Sequence, residues 1–98
     1  MNINIEKTNN SAILQISGRL DTTTAPVLDK TINEELEGVT DIVLDVKGLE
    51  YISSAGLRVL LSAQKKFQKI GSMKLVNVCE MVMEIFEMTG FADILVIE

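Results

Sequence analysis

The chain has 98 residues, a net charge of −5 and 47% apolar residues, which sets the expectation of one folded domain and excludes a disordered chain. No apolar run approaches the roughly 20 residues of a membrane span, and the amino terminus lacks the basic start and long apolar run of a signal peptide, so a cytoplasmic protein without membrane contact is expected. The single cysteine, Cys79, leaves no internal disulfide, and the absence of histidine removes Ser-His-Asp catalysis, histidine metal sites and imidazole acid–base work.

Ile3 and Ile5 alternate with polar residues and predict a short, half-exposed strand. Thr8-Asn9-Asn10-Ser11 is a turn cluster, and Ala12-Ile13-Leu14-Gln15-Ile16 reads as a second, more buried strand. The opening is therefore a predicted hairpin, with Asn9-Asn10 suited to the left-handed backbone of its turn. Gly18 ends the second strand. Asp21-Thr22-Thr23-Thr24 supplies capping oxygens, and Pro26 fits a first helical turn. Leu28, Ile32 and Leu36 then recur every four residues, predicting an amphipathic helix that ends at Gly38.

Ile42 to Val46 is a short, nearly continuous apolar run, as expected of a central strand. A loop then leads to Ser53-Ser54 and a second helix, Ala55 to about Ile70. Leu57, Val59, Leu60, Leu61, Ala63, Phe67 and Ile70 fall on one arc of it, and Arg58, Ser62, Lys65, Lys66 and Lys69 on the other. Residues 51–78 hold five bases and no acid, so this helix carries the basic face of an acidic chain. That face reads either as solvated or as an interaction surface. Five charges without interleaved aromatics make a poor nucleic-acid footprint, so none is expected to bind.

Met73 to Val78 is a further predicted strand. Cys79 to Thr89 is a third helix with a wide apolar arc of Met81, Val82, Met83, Ile85, Phe86 and Met88. Deep burial and a partner contact both account for such an arc. Gly90 ends it, and Ile94-Leu95-Val96-Ile97 is a last predicted strand. The order β-β-α-β-α-β-α-β implies an α/β fold: a mostly parallel, buried central sheet with helices packed against it through right-handed crossovers.

The serine pair at the start of the second helix offers two readings. One is a helix cap. The other is a hydroxyl that is modified or acts as a nucleophile. A nucleophile elbow needs Gly-x-Ser-x-Gly, and Ile52 stands at its first glycine. No Gly-Lys-Ser/Thr follows Gly48 or Gly56, so a P-loop is excluded. The lysines nearby lie on the polar arc, which disfavours a serine–lysine mechanism. Asp45, near the end of a central strand, raises the reading of a phospho-acceptor aspartate. The acidic pair and the closing lysine that such receivers use are missing, with Asp21 alone and Glu98 in those places.

Gly18-Arg19-Leu20-Asp21, Thr24-Ala25-Pro26, Ile42-Val43-Leu44-Asp45, Tyr51-Ile52-Ser53-Ser54-Ala55-Gly56-Leu57 and Thr89-Gly90-Phe91, in this order and spacing, make the chain resemble the STAS domain of bacterial anti-sigma factor antagonists over nearly its full length. The resemblance implies a single STAS domain over residues 1–98 and a binding protein rather than an enzyme, without a cofactor. The family's Asp-Ser-Ser/Thr-Gly-Leu signature places its regulatory phosphoserine at Ser54. Ser53 stands where the family has aspartate, and Ala55 follows. The implied partners are an anti-sigma factor serine kinase, bound while Ser54 is unmodified, and a metal-dependent PP2C-type serine phosphatase that reverses the modification. The implied contact surface is Asp21, Thr22, Ser53, Ser54, Ala55, Gly56, Leu57 and Arg58, on a monomer or weak homodimer. The alternative is a STAS binding module outside any sigma circuit, a subunit of a lipid-transport or sensory complex, in which Tyr51 and the Met-rich third helix matter more.

Overall fold

A computed structural model describes residues 1–98. The chain runs β1 (Asn2–Thr8), β2 (Ser11–Leu20), α1 (Ala25–Glu34), β3 (Asp41–Ile52), α2 (Ser54–Ile70), β4 (Ser72–Val76) and α3 (Glu80–Thr89), then a short 3-10 turn (Phe91–Asp93). β1 and β2 form the expected hairpin, with Asn9 in the left-handed region at φ 57°. β2, β3 and β4 are parallel, and the sheet order is β1-β2-β3-β4.

That order decides where the helices lie. Each crossover moves one strand further in the same direction, and right-handed crossovers of that kind put every helix on one face. Burial alternates accordingly along the strands. Leu14, Ile16, Leu44, Val46, Met73 and Leu75 point into the core, while Gln15 is exposed and Val43 and Asp45 are half-buried. The helices pack against the sheet as expected, all on one face, and the other face is open. The core is a single apolar layer between that face and the helices, with Phe67 of α2 and Phe86 of α3 among its largest buried side chains.

Further expectations change. Strand β2 runs through Gly18, where it was expected to end, to Leu20, and β4 stops at Val76, short of Val78, because Asn77 turns left-handed at φ 60°. The strand predicted over Ile42–Val46 continues to Ile52, so the expected loop is strand. It keeps pairing with β2 by inserting one extra residue at each of two irregularities, opposite Gln15–Ser17 and Gly18–Arg19. Gly48 permits the first: a Cβ there would lie 2.7 Å from Cβ of Ser17. Helix α1 stops at Glu34, short of Gly38. Glu34, Glu35 and Glu37 cluster where the negative end of the helix dipole disfavours acids, and no base sits in the last turn. Leu36 and Val39 are still buried, in the connection that follows. Helices α2 and α3 start at Ser54 and Glu80, with Ser53 and Cys79 at their N-cap positions.

The last predicted strand shrinks to one bridge, Leu75 to Ile97, joined by Leu75 N–H to Val96 O (2.8 Å) and Glu98 N–H to Leu75 O (2.9 Å). Ile94 and Leu95 instead close the turn, their N–H groups donating to Phe91 O at 3.0 and 2.9 Å. Leu95 anchors this tail in the core, and Lys74 pairs with Glu98 at 3.1 Å. The apolar arc of α3 divides: Val82 and Phe86 are buried, while Met81 and Met88 are exposed.

Candidate functional site

Parallel neighbours end at the same edge of a sheet, so the connections that leave β2 and β3 emerge side by side. Leu20 pairs with Ile52, and Ser53 N–H donates to Leu20 O at 2.9 Å. This brings the Asp21–Thr24 turn beside the start of α2. Gly56 makes the approach close: a Cβ on it would meet Leu20 Cγ at 2.7 Å and Ile52 Cγ1 at 2.9 Å.

The turn after β2 is a small self-contained hydrogen-bonded unit. Asp21 Oδ1 accepts from Thr23 Oγ1 (2.8 Å), Thr23 N–H (3.0 Å) and Thr24 N–H (3.2 Å). Asp21 N–H donates to Thr24 Oγ1 at 2.8 Å, and Thr24 Oγ1 donates to Arg19 O at 2.8 Å. The hydroxyl bond from Thr23, aided by the two backbone N–H groups, holds the Asp21 carboxyl below its ordinary value of 3.8 against the opposing effect of partial burial. A depressed carboxyl stabilises the turn fully above its unfolded value and loses that contribution as pH falls through the lower, folded one. An NMR titration is therefore expected to show Asp21 ionising below 3.8, and Thr23→Val moves it upward. Arg19 flanks the turn, with its guanidinium 4.3 Å from the Tyr51 ring centroid and Nε 3.9 Å from Asp21 Oδ2.

The two serines divide the roles between them. Ser53 is extended (φ −96°, ψ 175°), and its Oγ accepts from Gly56 N–H at 3.4 Å, so it is the N-cap of α2. Ser54 is the first helical residue, exposed, and its hydroxyl makes no hydrogen bond within the protein. Ser53→Ala is expected to cost about 1 kcal/mol in chemical denaturation, whereas Ser54→Ala is expected to leave stability within about 0.5 kcal/mol.

Of the remaining residues singled out in the sequence, Thr22 and Arg58 are exposed and Ala55 is half-buried. Gly56 and Leu57 are buried, and their part is to seat the helix start. Asp45 lies on the uncovered face, accepting from Asn77 Nδ2 (3.0 Å) and Lys47 N–H (3.1 Å). Gln64, which the helical periodicity did not single out, is buried and accepts from Val96 N–H at 3.4 Å, tying α2 to the tail.

The chain is 32% identical over 96 residues to the anti-sigma-B factor antagonist of Bacillus subtilis (strain 168), covering 97% of this chain and 88% of that one. In fold it is similar to an anti-sigma factor antagonist from Mycobacterium paratuberculosis, with a TM-score of 0.86 at 22% identity, covering 98% of this chain and 83% of that one. It is also similar to the Bacillus cell fate determinant SpoIIAA in its phosphorylated form, with a TM-score of 0.76 at 18% identity, covering 99% and 91%. The STAS domain pattern matches residues 2–98, so the chain belongs to the STAS domain family, among relatives that are anti-sigma factor antagonists.

Proposed function

We propose that this protein is an anti-sigma factor antagonist that binds its anti-sigma factor serine kinase while Ser54 is unmodified and is released when Ser54 is phosphorylated. The observation that carries the reading is the division of labour in the serine pair. Ser53 holds the helix start, and Ser54 offers a free, exposed hydroxyl at the position the family signature gives to its phosphoserine. In the transfer, Oγ of Ser54 attacks the γ-phosphorus of ATP and the bond from that phosphorus to ADP breaks. The hydroxyl proton passes to a base on the kinase. A PP2C-type phosphatase would reverse the step by hydrolysis. The protein acts here as a substrate and a ligand rather than as a catalyst, in the cytoplasm.

Exposure supports the contact surface of this reading. Thr22, Ser54 and Arg58 are exposed and Asp21, Ser53 and Ala55 half-buried, all at one end of the sheet, while Gly56 and Leu57 position the loop from beneath. A phosphate adds a charge of about −1.5 to −2 and three acceptor oxygens. On a surface that a partner must desolvate, an unpaired dianion is prohibitive, and the Asp21 carboxylate on the adjoining turn adds like charge.

The test is incubation with the candidate anti-sigma factor kinase and ATP, followed by intact mass and site mapping. One phosphate on Ser54 is expected. An active kinase that leaves Ser54 bare would sink the reading in favour of a STAS binding module in a transport or sensory complex.

A further inference from the structure

Helix α2 carries an ordered row of polar residues that starts at the switch. Ser54, Arg58, Ser62, Lys65 and Lys69 are separated by four, four, three and four residues. At about 100° per residue they fall within an arc of about 80°, and all five are exposed. The opposite side of the helix is the core side, with Leu57, Leu60, Ala63 and Phe67 buried. The row's three cations have no acid to answer them. The ion pairs of the structure are Arg19 with Asp21 and Lys74 with Glu98. The one α2 cation in a side-chain hydrogen bond is Lys66, off the row, which donates to Asn33 Oδ1 at 3.4 Å.

Residues four apart on a helix are surface neighbours, so Arg58 stands one turn from the Ser54 hydroxyl. Its side chain is free to move, because nothing in the protein holds it. A guanidinium presents a planar fork that matches two phosphate oxygens at once, which a lysine ammonium does not. We infer that Arg58 is the internal counter-ion of the phosphate on Ser54. Once the phosphate is in place, Arg58 turns back along the helix and pairs with it. The modification then does two things at one site: it adds a dianion to the contact surface, and it withdraws the first cation of α2 from anything that surface would bind. Lys65 and Lys69, about three and four turns further on from Ser54, stay free.

The inference rests on Ser54 as the acceptor, so its test does not use the kinase. Phosphoserine is inserted at position 54 of the full chain during translation, and its second ionisation is followed by phosphorus NMR in the parent, Arg58→Gln and Arg58→Lys proteins. The phosphate of the parent is expected to ionise below that of Arg58→Gln by at least about 0.3 pH unit. Arg58→Lys keeps the charge without the fork and is expected between the two. The Nε–H resonance of Arg58 is expected to shift when the phosphate is present. Equal ionisation in the parent and Arg58→Gln, with an unmoved Nε–H resonance, overturns the pairing. Because the phosphoserine is supplied in translation, that result stands whether or not a kinase modifies Ser54. Conversely, a bare Ser54 in the kinase experiment removes the regulatory setting without altering what the phosphorus spectra report.

Discussion

Phosphate on Ser54 is expected to weaken binding to the anti-sigma factor by at least about a hundredfold, roughly 2.7 kcal/mol. The magnitude follows from what a buried charge without a partner costs across an interface, about 2–5 kcal/mol. Pairing with Arg58 recovers part of that cost within the protein, but it also takes a cation from the surface. Ser54→Asp adds one charge where phosphate adds nearly two, and it lacks the third oxygen, so a smaller loss of roughly tenfold is expected. Ser54→Ala should bind like the parent and become indifferent to ATP. Titration calorimetry against nucleotide-free partner measures these affinities without modifying the protein during the experiment, and repeating it with ATP present checks the indifference of Ser54→Ala. The fold should take no part in the change. A phosphate at this exposed, first helical residue meets no packed side chain, so amide shifts should be confined to Asp21–Thr24 and Ser53–Arg58. Shifts that reach Leu44 and Leu75 in the middle of the sheet would contradict a local switch, and an unchanged affinity would contradict the role of Ser54.

Gly71→Ala is expected to lose about 3 kcal/mol of stability, out of the 5–15 kcal/mol typical of a domain. The reason is space, not backbone angle. Gly71 is extended (φ 179°), a conformation that any residue adopts, but a Cβ there would lie 2.0 Å from the carbonyl oxygen of Thr40 and 2.6 Å from its carbon. These are backbone atoms at the entrance to β3. The same carbonyl accepts from Ser72 N–H at 3.1 Å, where β4 begins to pair. Relieving the clash displaces the start of β4, whose Met73 and Leu75 are wholly buried and whose edge holds the tail. A urea titration checks the loss. Gly38→Ala is the control: it meets no atom within 4 Å, so its cost is limited to the left-handed backbone at φ 82°, about 1 kcal/mol.

The sequence revealed those parts of the fold whose cause is local. Asn9-Asn10 between two alternating strands fixed the hairpin, and the apolar spacing in α2 gave its length to within a residue. The serine pair, flanked by a strand and an apolar helix, marked the site. What stayed hidden depends on neighbours distant in sequence. Lys47-Gly48 reads as the end of a strand, yet β3 passes through it because Ser17 of β2 offers the space only a glycine can fill. The uncovered face of the sheet was hidden too, because β-α-β patterning does not say whether successive strands are added on one side or both. Gly71 shows the same limit: it follows directly on the helix predicted to end at about Ile70, but the Thr40 carbonyl it must accommodate leaves no mark in the sequence. Spacing alone did not separate Ser53 from Ser54; the family signature singled out Ser54, and the structure adds that the Ser53 hydroxyl is engaged while that of Ser54 is free.

The single-sided placement of the helices also bears on how such a chain can change over time. On each parallel strand, every second position faces solvent instead of a helix, so substitution at Gln15, Val43 or Lys74 removes little packing. Their neighbours Leu14, Leu44 and Leu75 are wholly buried and lose several kcal/mol on truncation to alanine. Half of the sheet can therefore drift in charge and shape while the edge that carries Asp21 and Ser54 keeps its geometry. A lineage can alter solubility or acquire new surface contacts there without redrawing that edge.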